Sequence, residues 1–192
     1  MMTENDILKV MEETGALLSG HFELRSKLHS DRFFQCANVL RFPRAAERLC
    51  SELVRRMKVA GGCGRIDGVL SPALGGIIIG HEVARALDVP SLFAEKENNL
   101  LTMRRFKIEP GHRYIVAEDV VTRGGRVQEC IDIIKNAGAE VAAVLVLVDR
   151  SGGTVTYTDH PFFSLLNLTP KVWEPSQCPL CAAGSTPVHP GS

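Results

Sequence analysis

The sequence has no apolar run approaching the roughly 20 residues that a membrane-spanning helix needs. It has no excess of charge, since Lys plus Arg and Asp plus Glu each number 22. A neutral total gives no support for a dedicated nucleic-acid binder, which needs a basic face. The opening residues, MMTENDILKV, lack the pattern of a secretory signal peptide, so a cytoplasmic location is expected. There are no internal repeats and no low-complexity segment. Without a secretory signal, six cysteines do not imply a disulfide framework. Cys36, Cys50, Cys63 and Cys130 are scattered and read as small core residues or idle thiols. Cys178 and Cys181 have the spacing of half a zinc ribbon, but a tetrahedral structural site needs four ligands. No second CxxC exists, and His160 and His189 are only loose candidates. The expectation is a reduced pair in a flexible tail.

What is present is an ordinary soluble composition, 45% hydrophobic and 23% charged over 192 residues. That length suits one α/β domain with a sizeable core. Thr3 caps a first helix predicted to run to Leu18, with Ile7, Leu8 and Met11 as its stripe. Two extended pieces follow over 21–28 and 29–40, then a helix from Pro43 to Val59. Short apolar runs at Ile66–Leu70, Ser91–Ala94, Tyr114–Ala117, Val141–Val148 and Phe162–Leu168 read as strands. Helical patterns at Ile77–Leu87 and Val127–Ala137 lie between them. Alternating strands and helices predict an α/β fold with a mostly parallel, doubly wound sheet flanked by helices. The expected division is an N-terminal segment over 1–64 with a small hood, a core over 65–169 and an irregular tail over 170–192. Asn98–Gly111 has no convincing period and carries Arg104, Arg105 and Lys107.

The stretch from Arg113 to Arg126, RYIVAEDVVTRGGR, carries the most chemistry. A buried strand ends on two carboxylates, Glu118 and Asp119. Ionised acids at a sheet edge need partners. Thr122, Gly124 and Gly125 then form a turn that lets backbone approach a ligand, and a helix follows. Amides at a helix N-terminus form a ready anion site. The combination suits a ligand with hydroxyls, phosphate and a divalent metal. Ser71–Gly76 is a second Gly-bearing turn between a strand and a helix, either a plain connection or a second anion loop. Phe33 and Phe34 are either core residues or a stacking surface for a planar ring. Arg150 ends the most apolar strand, either as a surface ion pair or as a planar fork for a carboxylate.

Four apolar residues, Glu118 and Asp119, Val120 and Val121, then Thr122 and the Gly loop resemble the phosphoribosyl pyrophosphate (PRPP) motif of type I phosphoribosyltransferases. Phe22, Leu24, Arg25, Ser26, Ser30, Phe33 and Phe34 resemble the N-terminal signature of the orotate-specific members. The resemblance implies joining of orotate to PRPP, giving orotidine 5′-monophosphate and pyrophosphate in pyrimidine biosynthesis. It assigns catalysis to Glu118, Asp119 and Lys96. It assigns PRPP binding to Arg25, Lys96, Arg104, Arg105 and the 118–126 segment, which includes Arg123, Gly124, Gly125 and Arg126. Ala73, Leu74 and Gly75 would form the pyrophosphate loop. Phe33, Phe34, Thr122 and Arg150 would hold orotate. The resemblance further implies Mg²⁺ carried mainly by PRPP, no protein-held metal, and a homodimer whose mobile loop completes the neighbour's site. The sequence departs from the family where Arg123 and Arg126 replace small residues, and where Leu74 and Gly75 stand near the family's Lys. The loop TMRRF, 102–106, replaces the common Lys-x-His-Gly form and resembles an Arg-Arg subgroup. Two rival readings are a purine-type phosphoribosyltransferase and a non-catalytic PRPP sensor.

Overall fold

The computed structural model describes residues 1–24, 26–61, 64–157 and 159–190. Arg25, expected near PRPP, and Cys63 lie outside the described residues. Helix α1 (Glu4–Glu13) starts with a reciprocal cap: Thr3 Oγ1 accepts from the Asp6 N–H, and Asp6 accepts from the Thr3 N–H. The helix stops short of the expected Leu18, because Gly15 turns left-handed and Leu17 opens a strand. That strand, β1 (Leu17–Glu23), pairs antiparallel with β2 (His29–Phe34). A single turn, α2 (Ala37–Leu40), leads to α3 (Pro43–Val59), which begins on its proline and buries Leu49, Leu53, Val54 and Met57.

The body follows as β3 (Gly68–Pro72), α4 (Gly76–Leu87), β4 (Ser91–Glu97), β5 (Leu100–Thr102), β6 (Arg113–Val121), α5 (Gly125–Asn136), β7 (Glu140–Asp149) and β8 (Phe162–Asn167). These strands form a six-stranded sheet in the order β5-β4-β3-β6-β7-β8. All neighbours pair parallel except β4 and β5. Strand order reverses between β3 and β6. In open α/β sheets that switch point is where ligands bind, beyond the strands' carboxyl ends. The sheet is covered on both sides. Ala143, Leu145 and Leu147 of β7 join a core with α1, α3 and α4, while Val144 and Val146 join one with α5. Successive side chains of a strand point to opposite faces, so a strand buried twice must be apolar throughout. Each fully buried Leu or Val contributes about 1.5–3 kcal/mol relative to exposure. Among the described residues, no helix is long and apolar enough to cross a membrane.

Two expectations are corrected. The 98–111 stretch is not wholly irregular, since β4 and β5 make a hairpin through Asn98 and Asn99. Both residues adopt left-handed φ, 48° and 69°. Asparagine tolerates that region, and paired left-handed residues suit a tight hairpin turn. The tail is not irregular either. It carries β9 (Val172–Trp173), a 3₁₀ turn at Pro175–Gln177 and α6 (Pro179–Ala182). β9 adds to β2, giving a three-stranded antiparallel hood, β1-β2-β9. Further on, Val188 bonds the backbone of His21 and Glu23 at 2.8 and 2.9 Å. The tail's ladder partners are distant in sequence, so no local pattern announces them.

Candidate active site

β6 delivers Glu118 and Asp119 to the switch point. Glu118 is 7% exposed and Asp119 half-buried. The Asp119 N–H donates to Glu118 Oε1 at 3.0 Å, and the Val120 N–H donates to Asp119 Oδ1 at 2.7 Å. Burial penalises their charged forms and raises both pKa values. For Glu118 the adjacent Asp119 charge pushes further the same way. The pair therefore retains a proton above the ordinary carboxylate range, held chiefly by Glu118. The folded chain binds more protons here than the unfolded chain between Glu118's ordinary and raised pKa. Stability must fall as pH rises through that window. Glu118→Gln should flatten the pH dependence of Tm between about pH 5 and pH 8 and raise Tm at the alkaline end. Each kcal/mol recovered moves Tm by about 2–4 °C in a domain of this size. Unchanged pH dependence would mean that the acids do not share a buried proton.

The turn after β6 forms a cradle. Gly124 has φ 74°, and a Cβ there would fall 2.9 Å from Tyr157 Oη and 2.9 Å from Val155 Cγ1. Only glycine fits this position. Helix α5 starts immediately afterwards with no side-chain cap, leaving its first amides directed at the turn. Glu118 and residues 120–127 line a cavity of ≈ 320 Å³. It takes in Val120, Val121, Thr122, Arg123, Gly124, Gly125 and Arg126, all expected at PRPP. Arg126 is also engaged elsewhere: it pairs with Glu129 at 2.9 Å and donates to the Asn99 carbonyl at 3.3 Å. Glu129 in turn accepts from the Leu101 N–H at 2.8 Å. Arg126 and Glu129 thus tie the β4–β5 hairpin to the start of α5.

The loop after β3 meets this cradle. Its Ala73–Leu74 peptide is cis, and Leu74 is 84% exposed. Helix α4 also begins without a side-chain cap. A Cβ on Gly75 would lie 3.1 Å from Asp119 Oδ2, and one on Gly76 3.1 Å from Glu118 Oε1. The acids therefore sit beside one uncapped helix start and lead into another. A ligand bridging the two loops would place anionic groups on the amides and hydroxyls near the carboxylates.

The hood closes a third space of ≈ 860 Å³, lined by Phe33, Phe34, Thr122 and Arg150 among others. These are the four residues expected at orotate. Phe33 leans on Phe22 with ring centroids 5.9 Å apart, and both Phe33 and Phe34 stay partly exposed. The Arg150 N–H is held by the Val121 carbonyl at 2.8 Å. Its guanidinium Nε is buried and has no partner among the described residues. Burial also lowers its pKa below the ordinary arginine value. A buried guanidinium nitrogen left without an acceptor is costly, so this geometry suits an incoming anion.

Lys96, Arg104 and Arg105 are all exposed, and none lines the cradle or the hood space. Arg105 pairs with Glu95 at 3.0 Å. Sequence reasoning missed Tyr157, which covers Gly124, and Glu129, which anchors the hairpin. It also missed His189 and Pro190, which line the hood space from the tail. No sequence signal marks these residues, because each reaches the site only through tertiary packing.

Residues 38–181 match the model of the phosphoribosyl transferase domain. The chain is 47% identical over 192 residues to the orotate phosphoribosyltransferase of Pelotomaculum thermopropionicum, covering 100% of this chain and 98% of that one. It is 44% identical to the Desulforamulus reducens enzyme of the same name, with the same coverage. The chain belongs to the orotate phosphoribosyltransferase family. Among solved structures, the orotate phosphoribosyltransferase from Aeropyrum pernix superposes with a TM-score of 0.69 at 25% identity, covering 84% of this chain and 93% of that one. Membership in this phosphoribosyltransferase family makes the chain an enzyme, and the expected α/β architecture is the family's own.

Proposed function

We propose that the protein transfers the 5-phosphoribosyl group of PRPP to orotate. The C1′–O bond to pyrophosphate breaks, the C1′–N1 bond to orotate forms, and the products are orotidine 5′-monophosphate and pyrophosphate. The observation carrying this reading is Arg150, whose buried Nε has no partner among the described residues and which lines one space with Phe33, Phe34 and Thr122. Its planar fork matches the orotate carboxylate, the phenylalanines offer faces to the pyrimidine, and Thr122 offers a hydroxyl. The cradle over 120–126 receives the 5′-phosphate on the amides of α5, and the 73–75 loop receives pyrophosphate. Glu118 and Asp119 hold the ribose hydroxyls and favour the positive charge that develops at C1′. Their oxygen donors also fit Mg²⁺ entering with PRPP, which would neutralise pyrophosphate charge. Purified protein with PRPP and Mg²⁺ should consume orotate, but not xanthine, adenine or uracil. Turnover of a purine in preference to orotate would overturn the assignment. So would PRPP binding without turnover.

The exposed loop cations fit a dimer that shares its sites, with Lys96, Arg104 and Arg105 serving the neighbouring chain. We place the reaction in the cytoplasm as part of the same proposal and expect no nucleic-acid or membrane partner. Arg104→Ala with Arg105→Ala should have little activity, as should Asp119→Asn at about 0.1–1% of wild-type kcat. Mixing the two and allowing random exchange should return about a quarter of wild-type activity per chain, because half the dimers are mixed and each has one intact site. Inactive heterodimers would mean that each chain uses its own loop.

A further inference from the structure

His21, His29, Cys178 and Cys181 meet where β1 and β2 face the tail. They are separated by up to 160 residues in sequence, yet their ligand atoms all lie within 4.8 Å of one another. The two histidines and Cys178 are buried, and Cys181 is half-buried. His21 Nε2 lies 3.0 Å from His29 Nδ1, 3.4 Å from Cys178 Sγ and 3.7 Å from Cys181 Sγ. Cys181 Sγ lies 3.3 Å from His29 Nδ1. The loose candidates His160 and His189 take no part in this group.

Hydrogen bonding alone accounts poorly for this convergence. His21 Nδ1 faces the Ser185 carbonyl at 3.1 Å, and a carbonyl only accepts. The Ser185 hydroxyl oxygen also lies 3.2 Å from Nδ1 and can accept as well, so the tautomer protonated at Nδ1 suits both contacts and leaves Nε2 a single lone pair. Three polar atoms crowd that one lone pair. A tetrahedral cation at the centre satisfies all four groups at once. With Zn–N near 2.0–2.1 Å and Zn–S near 2.3 Å, tetrahedral edges are about 3.3 Å for N···N and about 3.6 Å for S···N. Four of the six separations fall within about 0.3 Å of those edges, and all six lie within 4.8 Å. The Ser185 contact supplies the outer hydrogen bond that fixes a ligating histidine's tautomer. Two thiolates also balance a divalent charge, so the buried centre is neutral.

We infer that these four residues bind a structural Zn²⁺ ion that fastens the C-terminal segment to the hood. Four protein ligands leave no open coordination position, so the ion is structural rather than catalytic. β1 supplies His21, β2 supplies His29, and α6 supplies both cysteines, Cys178 at its N-cap and Cys181 within it. The ion holds the tail where Val188 bridges β1 and where His189 and Pro190 line the hood space.

The test is metal content. Protein purified under reducing conditions, loaded with Zn²⁺ and passed through a desalting column should retain about one zinc per chain. Cys178→Ser with Cys181→Ser should lower that ratio at least about fivefold, while Cys50→Ala, in the core of α3, keeps it. Should the double variant fail to fold, the intact chain still decides. Loaded with Co²⁺ in place of Zn²⁺, it should show the visible bands of tetrahedral cobalt with thiolate ligands. Both metals failing to bind the wild-type chain overturns the site. So does mass-spectrometric detection of a Cys178–Cys181 disulfide that persists in reductant with no metal bound.

Discussion

Asp119→Asn should lower kcat by about 10²–10³ while leaving the fold intact, the usual effect of removing one electrostatic group from a preorganised site. The substitution is nearly isosteric. The asparagine oxygen can still accept from the Val120 N–H, which donates to Asp119 Oδ1 at 2.7 Å in the native chain. The Cys36 thiol contact at 3.4 Å is to the Asp119 backbone carbonyl and does not change. On the proposed placement, what disappears is negative charge beside C1′ at the moment that carbon becomes electron-poor. The loss should fall on kcat and on kcat/KM together, because the interaction strengthens only in the transition state. The measurement is steady-state turnover of orotate, with Tm as the control. A kcat within about threefold of wild type, at unchanged Tm, would remove Asp119 from the chemistry.

Arg150→Ala should raise the KM for orotate by about 30-fold or more and leave the KM for PRPP within about threefold. Removing one partner of a buried charge pair costs about 2–5 kcal/mol, and each 1.4 kcal/mol is tenfold in affinity. The effect is directional because Arg150 lines the hood space and not the phosphate cradle. Stability gives an independent reading. Arg150 Nε is buried without a partner among the described residues, so its removal should leave Tm unchanged or raise it. Stabilisation together with lost orotate affinity is the signature of a residue held ready for an anion. An unchanged orotate KM would assign the carboxylate to another cation. Lys171 is the natural alternative, since it shares with Arg150 and Asp31 an adjoining cavity of ≈ 320 Å³.

The sequence by itself determined the parts whose physics is local. Val141–Val148 had to be a strand buried on both faces because it is apolar without alternation. Pro43 set the start of α3, and Gly124 had to be glycine because its φ is left-handed. The adjacency of Glu118 and Asp119, and the cradle behind them, are likewise contiguous residues of one β-turn-α unit. The family followed from those residues and from Phe22 to Phe34. Tertiary structure decided the rest, because it depends on contacts between residues far apart in sequence. The raised pKa values of the two acids come from burial, which no pair of letters specifies. The placement of Phe33 and Phe34 beside Arg150 requires the hood to fold over the sheet. The tail joined that hood through backbone pairing with β2, and a ladder is indifferent to side-chain pattern at two-residue length. His21 and His29 were unremarkable alternating positions of two strands until the tail brought Cys178 and Cys181 against them.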